Sequence, residues 1–408
     1  MSGSRGLPDR TLVVGAGVVG AAVAYHLAAL GDSGVLVLDA RKRAELPGST
    51  GLAPGLVGQL SASPELTALA RDSVATYRAL PPAGADPVFR QVGCLEVATG
   101  PERLEQAHRD AEHGRGMGVA ARVIDAAEAV ALAPALVDAD RVVGALHIPS
   151  DGAVEPAALT ALLVGAAEQA GARFRFGAPV AALETDGGRV TGVRVGAQGE
   201  LVGADRVVLA AGIWGPALAA GSGVRLPMVA VQHPYQYTGE LPDLDDTVID
   251  TPIVRYPDQA VYTRRHGRRY GLGSYAHAPL PLEPSALRSS AELPFPEAEF
   301  GPALEAAAAL VPAFRKAPAG RRLNGVFALT PDELPLVGPC PGVAGLWCAE
   351  ASWVTHAGGA ARQLAALLLG TDPLVDPARL APDRFASWSG QRMREAALAH
   401  YRGIYDTH

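Results

Sequence analysis

The sequence predicts an α/β protein made of a parallel sheet flanked by helices and a second, antiparallel sheet. Three observations predict it. A short apolar strand runs into Gly15-Ala16-Gly17-Val18-Val19-Gly20 and then a helix near the amino terminus. Buried-strand segments return at 206–212 and 345–348. Between these, from Leu226 to about Ser274, alternating Tyr, Thr and Val residues replace helical spacing.

Thr11-Leu12-Val13-Val14 is an apolar, β-branched run of the kind buried in parallel sheets. The glycine-rich turn follows at once, and 21–30 reads as a helix closed by Gly31. The next strand, 35–38, ends at Asp39. Gly15 permits the tight turn, Gly17 lets backbone approach a pyrophosphate, and Gly20 lets helix and strand pack closely. The helix amino terminus favours phosphate charge, and Asp39 can accept hydrogen bonds from ribose hydroxyls. Strand, glycines, helix and acid in this order predict a dinucleotide site, with FAD or NAD preferred to NADP. No second GxGxxG follows, which favours FAD reduced directly by the substrate. The predicted class is a Rossmann FAD-binding domain of the glutathione-reductase type plus an antiparallel β-sheet substrate domain.

Helices are expected over 62–80 and 101–135, and a strand over 141–148. A helix over 156–170 carries Pro156 in its first turn and Gly171 at its end. Strands over 174–180 and 190–195 flank the turn 186–188. The strand in 206–212 ends in small residues, which let a cofactor approach the backbone. Residues 261–265 and 268–274 read as a hairpin turning at His266-Gly267. Helical 295–319, a last strand at 345–348 and a helix from Gly358-Gly359 to about Leu369 complete the pattern. Residues 371–408 read as a polar extension. The expected division is a discontinuous FAD domain (1–90, 150–225, 325–375), a substrate domain (91–149, 226–324) and an extension from 376.

The 408 residues are 49% hydrophobic and 19% charged, which excludes disorder as the main state. A net charge of −7 argues against general nucleic-acid binding, which needs basic patches. Lys42 and Lys316 are the only lysines among 35 basic residues, a bias of the kind a GC-rich genome produces. Cys94, Cys340 and Cys348 form neither a CxxC pair nor a Cys/His cluster, so no metal site and no disulfide framework are expected. The amino terminus lacks an apolar signal region and no 18-residue apolar run exists, so the expectation is a soluble cytoplasmic protein without a membrane span.

The segments GSTGLAPGLVGQ (48–59), LAAGIWG (209–215), PMVAVQHPYQYT (227–238), VYTRRHGRRYGLGSYAH (261–277), NGVFALTPDELPLVGP (324–339) and AEASWVTHAGG (349–359) occur in family order over nearly the whole chain. They resemble the FAD-containing half of dimethylglycine oxidase and of the dimethylglycine and sarcosine dehydrogenases, within the wider D-amino-acid oxidase and monomeric sarcosine oxidase group. The resemblance implies FAD contacts from Gly15, Gly17, Val18, Val19, Gly20, Asp39, Ala40, Gly48, Ser49, Thr50, Ala53, Leu56, Val57, Val180, Ala211, Gly212, Trp214, Val354, Thr355 and His356. It also implies a departure in flavin attachment. Leu52 stands where the dimethylglycine group has its attaching His, and Gly325 where monomeric sarcosine oxidase has its attaching Cys. Neither has a nucleophile, so FAD is expected to be non-covalent. Neither Lys42 nor Lys316 matches the oxygen-activating lysine of sarcosine oxidases. A protonated His could supply that charge, and oxidase versus dehydrogenase stays open. Related two-part enzymes continue into a folate-binding domain, so the carbon unit is expected to leave as formaldehyde or pass to a separate folate-binding protein.

The implied reaction moves a hydride equivalent from the carbon beside nitrogen to the flavin, and the protein must favour the neutral amine. His233 and Tyr262 match the family's active-site pair, with His233 as the proton acceptor and Tyr262 orienting the substrate. Arg264 shares a strand face with Tyr262 and is the candidate for a carboxylate, with Arg255 as its rival. Tyr235, Tyr275 and Trp353 are expected to line the cavity. His356 and the Gly pair should open a helix whose amino terminus points at the flavin pyrimidine in this fold, with the glycines letting backbone approach the flavin O2. The expected substrate is a sarcosine- or dimethylglycine-like N-methyl amino acid, oxidised by oxygen or another acceptor. The alternatives are a larger amine, a D-amino or imino acid, a hydroxy acid, or a flavin subunit dependent on a folate-binding partner.

Overall fold

A computed structural model describes residues 10–82, 87–246 and 250–405. The expected limits at 1 and 408, and the amino-terminal residues read for a signal, lie outside these. Six strands form a central sheet in the order Leu336–Pro339, Leu346–Glu350, Arg206–Leu209, Thr11–Val14, Leu36–Asp39, Arg173–Phe176. All neighbours run parallel except the first pair. The strands are apolar on both faces because helices cover one face and the three-stranded sheet of Val180–Asp186, Arg189–Val195 and Glu200–Gly203 covers the other. Val18–Ala29, Pro64–Ala79, Pro156–Gln169 and Ala357–Leu369 pack together, with Leu27, Leu69, Tyr77, Leu163 and Leu364 fully buried among them.

The turn after Thr11–Val14 is as tight as the sequence requires. Gly15 has φ +105°, and a Cβ there would stand 2.3 Å from the Ala210 carbonyl oxygen. A Cβ on Gly20 would lie 1.9 Å from the Gly15 oxygen. Helix Val18–Ala29 starts without a side-chain cap and without an acidic residue in its first turn, so its amino end suits an anion.

The second sheet is larger. Its strands run Glu292–Leu293, Ala319–Leu329, Val229–Thr238, Arg269–Ser274, Val261–His266, Ile253–Tyr256, Cys94–Ala98, Gly144–Ile148, Arg122–Asp125, and Leu280–Leu282 pairs separately with Val229–Thr238. Antiparallel pairing holds except between Ile253–Tyr256 and Cys94–Ala98, which run parallel. The expected hairpin is present with His266 still paired in the strand, and Gly267-Arg268 make the turn. The expected helix over 101–135 is interrupted. Pro101–Gly116 ends at Met117-Gly118, and Arg122–Asp125 then joins the large sheet before Ala126–Leu132. The strand expected over 174–180 also divides: Arg173–Phe176 joins the central sheet, and Val180–Asp186 pairs with Arg189–Val195.

The carboxyl-terminal residues are not a loose polar extension. Helix Gly390–Arg402 is capped by Ser389 and buries Met393, Ala397 and Tyr401, which recur every four residues on one face. No helix among the described residues is long and apolar enough to cross a membrane. The three cysteines are buried and free.

Replacing Gly20 with Ala sets a methyl group against rigid backbone. We expect Gly20→Ala to lower the unfolding free energy by about 1–3 kcal/mol in urea titrations. An unchanged midpoint would show that the helix is not held this close to the turn.

Candidate active site

One cavity of about 1460 Å³ joins the two sheets. That exceeds the roughly 300–1,000 Å³ of an ordinary small-molecule pocket and leaves room for a dinucleotide and a substrate together. Its central-sheet end is lined by Gly15, Gly17, Val18, Val19, Asp39, Ala40, Gly48, Ser49, Thr50, Ala53, Leu56, Val180, Ala211, Gly212, Trp214, Val354, Thr355 and His356. Gly20 and Val57 are corrections to the expected lining. Gly20 acts in helix packing, and Val57 turns its fully buried side chain into the helical core, so Leu56 and Gly58 flank the cavity instead.

Local hydrogen bonds set the shape of this end. Asp39 accepts from the backbone N–H groups of Ala16 at 2.5 Å and Arg41 at 2.7 Å. Thr50 Oγ1 accepts from Val18 N at 3.2 Å, and Ser49 Oγ donates to the Val326 carbonyl at 2.6 Å. Two buried polar atoms on the lining, Arg41 Nε and Ser352 Oγ, make no hydrogen bond within the protein, although Arg41 Nε lies 3.8 Å from Asp39 Oδ1. Uncapped helix start, terminal strand acid and unpartnered donors together fit a dinucleotide bearing phosphates and ribose.

The large sheet supplies the other wall. Side chains alternate along a strand, and directly paired residues share a face. Tyr235 pairs with Gly273 and Leu323, His233 with Gly325, and Tyr262 with Gly273 and Arg255. His233, Tyr235, Tyr262, Arg255 and Gly325 therefore face one cavity, joined by Tyr275, Phe327 and Trp353. The glycines of the GLGS segment make room for rings. A Cβ at Gly273 would lie 2.3 Å from Tyr262 Cζ, and one at Gly271 would lie 2.3 Å from the Tyr235 hydroxyl.

Tyr262 and His233 are in direct contact, with the Tyr262 hydroxyl 2.9 Å from His233 Nε2. Burial pushes His233 well below its ordinary value, with the His277 ring adding to the shift, and pushes Tyr262 well above its own. Both are neutral near pH 7. Burial also lowers His356 to about 4, so this ring is neutral near pH 7 and does not bring the positive charge that a protonated His could supply. Both lysines are exposed, and neither lines the cavity.

Arg264 is a second correction. Its side chain is 1% exposed and is paired with Glu155, and it reaches His266 Nδ1 at 2.9 Å. It ties the large sheet to the start of helix Pro156–Gln169 and does not line the cavity. Arg255 does line it, 3.1 Å from Glu96 Oε1. Burial works against the Arg255 cation, but Cys94, Glu96, Tyr405 and Asp151 outweigh it and hold the guanidinium charged. The Gly358-Gly359 pair is a third correction. Their N–H groups are taken by Tyr77 Oη and Ser73 Oγ, so the pair lets this helix approach Pro64–Ala79 instead of a ligand.

Sequence reasoning missed Phe327 on the wall and three further contributors. Tyr401 places its hydroxyl 2.8 Å from His233 Nδ1, and Tyr405 lines the cavity. The buried Met393, Ala397, Tyr401 stripe was a readable signal that this segment packs inward. Glu350 also lines the cavity and accepts from Ala211 N at 2.7 Å. Burial raises it to about 8 despite hydrogen bonds from Ala211 and Gly212.

Residues 10–367 match the DAO family, FAD dependent oxidoreductase, and the chain belongs to that family. It is 30% identical over 406 residues to the mitochondrial dimethylglycine dehydrogenase of Rattus norvegicus, covering 97% of this chain and 47% of that protein. It is 30% identical over 389 residues to the 4-methylaminobutanoate oxidase (formaldehyde-forming) of Paenarthrobacter nicotinovorans, covering 94% and 46%. The chain thus spans about half the length of these relatives. The fold is shared with the L-proline dehydrogenase of P. horikoshii, at a TM-score of 0.79, 21% identity and coverage of 93% and 99%. The family's cofactor is FAD, and the central-sheet end of the cavity has the room and the donors that a dinucleotide needs.

Two predictions follow from the wall residues. Gly273→Ala should displace Tyr262 and cut turnover at least about tenfold while thermal unfolding shifts little; unaltered turnover would mean that the ring tolerates the methyl group. Glu350 has an ordinary value of 4.5 and a folded value of about 8. The folded state therefore keeps a proton that the unfolded state releases, and stability falls as pH rises across that window. Glu350→Gln should flatten this slope in denaturation midpoints taken between pH 5 and 9. An identical slope in both proteins would place the Glu350 carboxyl near its ordinary value.

Proposed function

We propose that the chain oxidises a secondary or tertiary N-methyl amino acid, of the sarcosine or dimethylglycine kind, to an iminium that hydrolyses with loss of formaldehyde. The observation that carries this reading is the direct pairing of Arg255 with Tyr262 across adjacent strands on the cavity face. Opposed side chains start about 4.5–5.5 Å apart. The two side chains enter one cavity from neighbouring strands, the phenol leaning over Gly273 to His233 and the guanidinium toward Glu96, so the cavity offers a phenol for an amine and a cation for a carboxylate. Arg255 binds the carboxylate with the donors that Glu96 leaves free. Tyr262 orients the amine, and His233, kept neutral by burial, accepts the proton that exposes the nitrogen lone pair.

Bound FAD supplies the hydride acceptor. Asp39 and the start of helix Val18–Ala29 hold its ribose and pyrophosphate. The cofactor is held non-covalently: Leu52 and Gly325 meet at the cavity, with Leu52 Cβ 3.5 Å from where a Cβ on Gly325 would stand, and neither has a nucleophilic atom. Tyr235, Tyr275, Phe327 and Trp353 form an aromatic wall that favours, as a second reading, a larger N-substituted amine. The acceptor of the flavin's electrons is oxygen or another oxidant, and a folate-binding protein can take the carbon unit in place of water.

With sarcosine or dimethylglycine, the FAD-loaded protein should release one formaldehyde per amine oxidised. Arg255→Gln should raise KM at least about tenfold, and Tyr262→Phe should lower kcat about a hundredfold. No formaldehyde from either amine would overturn the reading, and an unchanged KM in Arg255→Gln would move the carboxylate site elsewhere.

A further inference from the structure

Behind the Tyr262–His233 pair the hydrogen bonds continue. His233 Nδ1 lies 2.8 Å from the Tyr401 hydroxyl, Tyr401 lies 2.9 Å from His277 Nε2, and His277 Nδ1 lies 2.8 Å from the Ala278 carbonyl. Tyr401 is fully buried, whereas His277 is half-exposed. The direction of every hydrogen in this chain follows from its outer end. A carbonyl only accepts, so His277 Nδ1 carries the hydrogen and its Nε2 accepts. Tyr401 therefore donates to His277, its second acceptor being the more distant Gln232 carbonyl at 3.3 Å. Having one hydrogen, Tyr401 must accept from His233 Nδ1–H. His233 Nε2 is then an acceptor, and Tyr262 donates to it. The lone pairs of Tyr262 are left toward the cavity.

We propose that Tyr262, His233, Tyr401 and His277 form a directed proton relay that carries a proton from an amine bound at Tyr262 to the protein surface. The proposal rests on the amine reading above. In one transfer the substrate N–H breaks as a Tyr262 O–H forms, and the original Tyr262 O–H breaks as His233 Nε2–H forms. His233 Nδ1–H breaks as a new Tyr401 O–H forms, and the old Tyr401 O–H breaks as His277 Nε2–H forms. One proton moves, no electrons move, and the amine keeps the lone pair. His277, cationic for that moment, passes one proton to water and keeps Nδ1–H; a ring flip of His233 returns its hydrogen to the Tyr401 side as both hydroxyls turn, which resets the relay.

The surroundings suit this task. His233 faces Tyr262, Tyr275, Phe327, Tyr401 and the His277 ring, and His277 also faces Tyr401 and Phe300, groups that carry no charge near neutrality in the resting site. Burial lowers His277, so it holds the transferred proton weakly. Tyr401 and His277 do not line the cavity; they are positioning residues acting through His233. Helix Gly390–Arg402 is thereby a working part of the site.

The test uses the FAD-loaded protein with ¹⁵N-labelled histidine and its Tyr401→Phe and His277→Gln variants. Nitrogen NMR should show His233 and His277 as Nδ1–H tautomers. A His233 Nε2–H tautomer would overturn the relay. Flavin reduction by sarcosine should slow at least about tenfold at pH 7 in both variants and return to the parent rate above the amine's own pKa, where no proton need leave. Because Tyr401→Phe keeps the ring, a folding defect would instead lower the rate equally at every pH, and this outcome, like profiles identical to the parent's, would overturn the relay. Should neither sarcosine nor dimethylglycine reduce the parent's flavin, the amine reading falls, and the tautomers still decide the direction of the chain.

Discussion

The register of the large sheet is the constraint on which the site depends. A side-chain period of two forces paired residues onto one face, and a slip of one residue would turn every cavity residue into the opposite layer. With Val231 opposite Phe327, His233 opposite Gly325 and Tyr235 opposite Leu323, the strand Val229–Thr238 presents its functional side chains toward the central sheet. The neighbouring hairpin repeats this, setting Tyr262 against Gly273. Arg264, on the same strand as Tyr262, fastens this face to the start of helix Pro156–Gln169 through Glu155. The sheet is thereby held against the central-sheet end of the cavity.

Desolvation decides which of these groups carry charge. His233 and His356 are driven toward their neutral forms, and Glu350 is held protonated near pH 7. Arg255 stays cationic because Glu96 and Asp151 surround it. Asp151 is itself raised by burial to about 7 against the pull of Arg255. The wall of the large sheet thus combines the Arg255 cation with neutral proton carriers, a combination suited to an amino acid that must lose a proton before it reacts.

Much of this was legible in the sequence because it is local. The first strand, the glycine turn, the helix and Asp39 follow one another along the chain, and each has a steric or electrostatic signature. The hairpin was legible for the same reason. Which of the two arginines borders the cavity was not. Tyr262 and Arg264 share a face, as alternation requires, but whether that position borders the cavity depends on Glu155, more than a hundred residues away in sequence. Gly358-Gly359 misled in a similar way: close approach was the right inference, but the approaching partner is helix Pro64–Ala79. Polar composition at the carboxyl end concealed a four-residue spacing of buried side chains that delivers Tyr401 to His233.

The central claim is that the cavity between the two sheets brings an amine to the FAD site with its carboxylate on Arg255 and its nitrogen at Tyr262. Anaerobic mixing of the FAD-loaded protein with sarcosine and with N,N-dimethylglycine, followed at the flavin absorbance, tests it most directly. The account predicts bleaching by at least one of these amines and none by the matching hydroxy acid. Flavin that stays oxidised with both amines, yet bleaches with dithionite, would contradict it.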